Sequence, residues 1–128
     1  IHADLGYITL LGSNVSQDPV ESGGRIHLTL FWKLEQAQRV VVSTTLEEVI
    51  LETHELGFGN LQRYQAEIGP VLGRVIVEDY WLVIPSTTEA GTHSLSLRVL
   101  GSDATIEIVQ LEVENREETM ERWLRIAD

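Results

Sequence analysis

Glu48, Glu52 and His54 recur at even spacing within one short segment, with Glu47 and Glu55 beside them. This is the chain's nearest approach to a metal or acid–base cluster. Side chains two apart on a strand share a face, and an imidazole with carboxylates suits a divalent cation or a proton transfer. The same residues also read as the solvated outer face of a very acidic domain. That plainer reading is the expected one, because nothing else in the sequence completes a coordination set. His27 falls on the polar side of another strand and His93 at a strand entrance, so neither adds to the cluster. The chain has no G-x-S-x-G, no phosphate-cradling glycine loop and no H-E-x-x-H. It has no cysteine, which excludes a disulfide framework, a thiolate metal site and a Cys nucleophile. Carboxylate pairs of the glycosidase kind arise by chance among 20 acids and carry no information. The domain is expected to be non-catalytic and to hold no cofactor. The acid–base or metal enzyme built on Glu48, Glu52 and His54 stays as the least favoured alternative.

A second group of residues points to recognition. From residue 75 to 84 the parity of Tyr80, Leu82 and Ile84 reads as core, which leaves Val75, Val77, Asp79, Trp81 and Val83 on the other face. Trp32 and Tyr80 run in phase with large aliphatics and are expected inside. Three readings compete for the strip centred on Trp81. It is a surface covered by a C-terminal helix, a contact with a neighbouring domain or subunit, or a platform on which a sugar ring stacks, with Asp79 accepting from its hydroxyls. The helix reading leads, because that helix needs a partner surface. Asn14-Val15-Ser16 matches a glycosylation sequon, a triplet that is common by chance.

The elements that must position these residues are strands. Ile26, Leu28, Leu30, Trp32 and Leu34 alternate with Arg25, His27, Thr29, Phe31 and Lys33, the pattern of a half-buried strand. Further strands are expected at 5–11, 40–46, 48–55, 75–84, 93–100 and 105–113. In the last, Ile106 and Ile108 share one parity while Val109, Leu111 and Val113 share the other, so a one-residue bulge near Ile108 and Val109 is expected. Gly, Pro, Asn, Asp and Ser cluster between the segments as turn chemistry requires. The implied architecture is all-β: a two-sheet antiparallel sandwich, immunoglobulin- or jelly-roll-like, of roughly seven to nine strands. Residues 1–114 form it. Residues 115–128 are expected as a short amphipathic helix, capped by Asn115 with Glu118 and carrying Met120, Trp123, Leu124 and Ala127 on one stripe.

Length and charge bound the partners. With 128 residues the chain makes one domain that can bury a core without disulfides or metal. Nine basic residues against 20 acidic ones give a formal charge of −11, and no stretch concentrates arginine. A nucleic-acid or anionic-membrane surface is therefore disfavoured. The longest apolar runs, such as 81–84, fall far short of the ~20 residues a spanning helix needs, so this segment is not expected to cross a membrane.

One resemblance narrows the reading further. Leu5-Gly6-Tyr7 opens the chain, and Glu21-Ser22-Gly23-Gly24 leads into Ile26-His27-Leu28-Thr29-Leu30-Phe31-Trp32. Gly73 precedes Glu78-Asp79-Tyr80-Trp81-Leu82-Val83-Ile84-Pro85, followed by Gly91 and Leu95-Ser96-Leu97. Over about residues 5–113 this pattern resembles a β-sandwich domain carried as an extracytoplasmic, C-terminal appendage by bacterial multi-spanning membrane glycosyltransferases of the mannosyltransferase-like kind, and by related exported proteins. Gly23 stands where that family often has proline, and Pro70-Val71-Leu72-Gly73-Arg74 lacks the family's Trp and Glu. The resemblance implies an extracytoplasmic accessory domain of a membrane-anchored parent, with a glycan or a neighbouring protein domain as partner. It transfers no catalytic residue, because the transferase chemistry of such chains lies in their membrane portion.

Overall fold

The computed structural model describes residues 3–16, 19–35, 39–56 and 73–115. Nine strands follow one another in them: β1 (Ala3–Asp4), β2 (Ile8–Ser16), β3 (Val20–Glu21), β4 (Arg25–Leu34), β5 (Val41–Leu46), β6 (Val49–Glu55), β7 (Val75–Val83), β8 (Gly91–Val99) and β9 (Thr105–Glu114). They form a four-stranded sheet in the order β1-β2-β4-β7 and a five-stranded sheet in the order β3-β9-β8-β5-β6. Every pairing is antiparallel except the short β3–β9 ladder, where Val20 faces Val113. The expected two-sheet sandwich is therefore the observed fold. The expected helix over 115–128 lies outside the described residues, apart from Asn115.

Alternation decides what faces inward. In β4, Ile26, Leu28, Leu30, Trp32 and Leu34 are at most 1% exposed, and Tyr80, Leu82, Leu95, Leu97, Val99 and Leu111 join them between the sheets. Trp32 and Tyr80 are thus core, as the alternation requires. Each fully buried aliphatic of this kind contributes about 1.5–3 kcal/mol by leaving water. The phase change in β9 is resolved by a bulge: Leu95 faces Val109 and Ser96 faces Glu107, so Ile108 has no cross-strand partner. Ile106, Ile108, Leu111 and Val113 all stay in the core as a result, with Val109 partly buried against it.

The chain changes sheet between β3 and β4, and glycine makes the turn possible. A Cβ at Gly24 would stand 2.9 Å from the carbonyl oxygen of Glu21, closer than a side chain tolerates. The turn is then tied to both sheets, since Ser22 N–H donates to Glu114 O at 2.8 Å and Gly23 N–H to Ile84 O at 2.9 Å. This fixes the register of β4 against β7, in which His27 faces Trp81 and Thr29 faces Asp79.

Candidate functional site

Two sites emerge, on opposite faces of the four-stranded sheet. The first is the outer face. Because residues opposed in register share a face, β2, β4 and β7 lay out rows there: Ser16, His27 and Trp81 in one, Asn14, Thr29 and Asp79 in the next, with Arg25 opposite Val83 beyond them. Trp81 is 49% exposed, and Val75, Val77 and Val83 are each more than half exposed along the same strand. The indole is steadied by two residues of β4. The His27 ring centroid lies 4.8 Å from it with planes tilted by 34°, and the guanidinium carbon of Arg25 sits 5.0 Å from its centroid. His27 Nε2 pairs with the Asp79 carboxylate, which also accepts from the Thr29 hydroxyl at 3.5 Å. The outward placement of Trp81 and Asp79 is the one the parity of β7 predicts. The helix expected to cover them lies among residues that are not described.

The second site is sealed between the sheets, and here the alternation misled. Glu52 and His54 do not sit on a solvated outer face. His54 is 8% exposed and points inward. The reason is a bulge in β6: Thr44 faces Glu52 but Thr45 faces Ile50, so Leu51 is skipped and the parity inverts there. Glu48 lies in the turn before β6, exposed to solvent and apart from the other two. The third member is instead Glu78 of β7, 2% exposed. His54 Nε2 lies 2.8 Å from one Glu78 oxygen, and Nδ1 lies 2.7 Å from Glu52. The other Glu78 oxygen accepts from Trp32 Nε1–H at 2.9 Å. Tyr80 stands edge-on to His54 at 5.0 Å, and its hydroxyl shares a 3.0 Å hydrogen bond with Thr44.

A carboxylate at each ring nitrogen calls for two N–H donors, which only the imidazolium supplies. Burial acts to lower the His54 pKa, but hydrogen bonds and charge from Glu78 and Glu52 outweigh it and hold the group above its usual 6.5. Burial, with the charges of Glu52 and Glu78, pushes the Tyr80 hydroxyl far up against the opposing Thr44 hydrogen bond, so it stays neutral. With both nitrogens facing carboxylates, no imidazole lone pair remains for a cation. Among the described residues no three His, Asp or Glu side chains are placed to share one. The group acts as a tie between β6 and the β4–β7 pair.

Glu78 was the signal that sequence reading passed over. It occupies the core parity of β7 between Ile76 and Tyr80, and an acid in a core row must have a partner. Trp32 gave the matching sign, since a buried indole N–H needs an acceptor. A third feature, also unforeseen, is a cleft of about 290 Å³ at one end of the sandwich, lined by Leu46, Glu47, Pro85, Thr88 and His93 among others. Glu47 holds a positive φ of 53° there, and its carboxylate accepts from Ser94 N–H at 2.8 Å. His93 Nε2–H donates to Glu89 O at 2.7 Å, so its ring is held as part of the loop.

No family model matches this chain, and no curated protein matches it. Among solved structures it is similar to the crystal structure of the C-terminal domain of Wzt, with a TM-score of 0.55 and 13% sequence identity. The match covers 89% of this chain and 77% of that one. At this identity the likeness is one of fold: a β-rich domain of the same build.

Proposed function

We propose that this is a non-catalytic binding domain of a larger bacterial envelope protein, and that the outer face of its four-stranded sheet receives a carbohydrate. The observation that carries the reading is Trp81, half exposed and steadied by His27 and Arg25, with hydrogen-bonding groups at Asp79, Thr29, Asn14 and Ser16 in adjoining rows. A pyranose has an apolar face that suits an indole and a rim of hydroxyls that suits such neighbours. The alternative on Glu52 and His54 loses ground, because His54 is buried and both its ring nitrogens are taken up by Glu52 and Glu78. That a domain of similar fold serves as the C-terminal part of Wzt supports a role within a longer chain. The extracytoplasmic setting, and a membrane glycosyltransferase as parent, rest on the resemblance carried by residues 5–113.

The test is a tryptophan-fluorescence titration against a panel of bacterial oligosaccharides, with Trp81→Ala alongside. Saturable quenching that the variant loses, with a melting transition that stays cooperative and falls by only a few degrees, is the expected result. Silence across the panel favours a protein partner instead. The parent is checked in the coding sequence that flanks the domain, where spanning segments upstream are expected.

A further inference from the structure

The two outer faces of the sandwich differ sharply in charge. On the five-stranded sheet the outward rows of β3, β6 and β9 carry Glu21, Glu55, Glu107, Glu112 and Glu114. On the four-stranded sheet the outward positions of β4 are Arg25, His27, Thr29, Phe31 and Lys33, while β7 adds the acid Asp79 and β1 the acid Asp4 at the far edge, in the row of Lys33. Asp79 is engaged by His27 and Thr29. Lys33 lies 3.7 Å from Glu35. Arg25 differs from both: among the described residues no carboxylate pairs with it, and its guanidinium carbon lies over the Trp81 ring, 5.0 Å from the centroid. In a chain with 20 acids and nine bases, an arginine that pairs with no carboxylate among the described residues and sits beside the exposed indole is a distinguishing feature.

We infer that the Trp81 face selects an acidic sugar, a pyranose bearing a carboxylate, and that Arg25 is the residue that recognises the acid. This rests on the carbohydrate reading above and names the class of sugar. A sugar packed on the exposed part of the indole brings a carboxylate at its edge to the guanidinium that lies over the ring, whose planar fork pairs carboxylates through two parallel hydrogen bonds. Hydroxyls on the far edge meet the row of Asn14, Thr29 and Asp79. The chain's overall negative charge does not forbid an anion there. Among the described residues, five acids line the outer face of the opposite sheet, about 10 Å behind. The Debye length at physiological salt is about 8 Å, so the local arginine decides.

The experiment is calorimetry of the full chain with trigalacturonate and with galactotriose of the same linkage, for the wild type, Arg25→Gln and Arg25→Lys. Trigalacturonate is expected to bind more tightly than its neutral counterpart. Arg25→Gln is expected to weaken the acidic ligand by about tenfold or more, the scale of a hydrogen bond to a charged group, and the neutral one by much less, since it loses only the support that Arg25 gives the indole. Arg25→Lys, which keeps charge but not the fork, should recover part of the loss. Equal or tighter binding of galactotriose overturns the inference and leaves the carbohydrate platform standing. So does Trp81-dependent binding of only neutral glycans, or trigalacturonate binding that ignores Arg25→Gln. Failure of every glycan overturns both readings together.

Discussion

The same three chemical groups meet twice in this molecule, once on each face of the β4–β7 pair. Inside, the imidazole of His54, the carboxylate of Glu78 and the indole of Trp32 are all buried. Outside, His27, Asp79 and Trp81 repeat the set with side-chain exposures of 31% and 57% for the imidazole and the carboxylate. Environment alone gives them different work. In the interior each polar atom must be satisfied, so the hydrogen bonds fix one geometry and join the two sheets. On the surface water competes for every partner, so the same pairing is weak and the indole stays available to a ligand. A binding face and a structural tie are built here from one vocabulary, separated by the thickness of a strand.

The carboxylates should split that comparison most widely. Glu78→Ala takes from the core the carboxylate that meets His54 Nε2 and the Trp32 indole N–H, and breaking a buried pair in this way costs about 3–5 kcal/mol. Asp79→Ala removes a surface partner and should cost no more than about 1 kcal/mol. Denaturant midpoints of the two variants measure the difference. Similar losses at both positions would mean that the inner group is not the tie it is taken to be.

The indoles sharpen the point. Trp32→Phe keeps most of the apolar volume but deletes the donor to Glu78, leaving a buried acceptor short of a partner at about 1–3 kcal/mol. A neutral result would show that water or another donor reaches Glu78.

A subtler effect follows from His54, whose folded pKa is raised. The folded state then binds more protons than the unfolded chain between the ordinary pKa of 6.5 and the raised value. Its contribution to stability is complete below the unfolded pKa and is lost as pH rises through the folded one. Unfolding free energies from about pH 6 to about pH 9 should therefore fall for the wild type relative to His54→Gln, which cannot titrate. A constant difference between the two would place a neutral imidazole between the carboxylates.

Most of the fold could be read from the chain because β4, β7 and β8 alternate cleanly and β9 announces its own bulge through the parity switch at Ile108 and Val109. The outer site was legible for the same reason, since Trp81 and Asp79 oppose the core parity of Tyr80 and Leu82. The inner site was not. The β6 bulge at Leu51 inverts a face without any change in apolar pattern, because Val49 and Ile50 are both exposed. Nothing in residues 48–55 alone tells which side His54 takes. Glu78 on the far sheet decides it, and pairing across a sandwich has no periodicity to read.

The effect on stability expected at Trp81 is also small, and its smallness is informative. In the core, truncating a tryptophan to alanine costs about 3–5 kcal/mol, because apolar area returns to water and a cavity remains. At Trp81 half the surface already meets solvent, and among the described residues its ring contacts are with His27 and Arg25. A cation over an exposed ring contributes about 0.5–1 kcal/mol, so Trp81→Ala should lower stability by about 1 kcal/mol and leave the melting transition cooperative. A loss on the scale of the core would show that a further part of the chain, such as the amphipathic segment at 115–128, covers the indole. The sheet face would then be an internal seam. A small loss together with lost glycan binding would show a face kept free for a ligand, which is the distinction between the inner and outer sets in its most direct form.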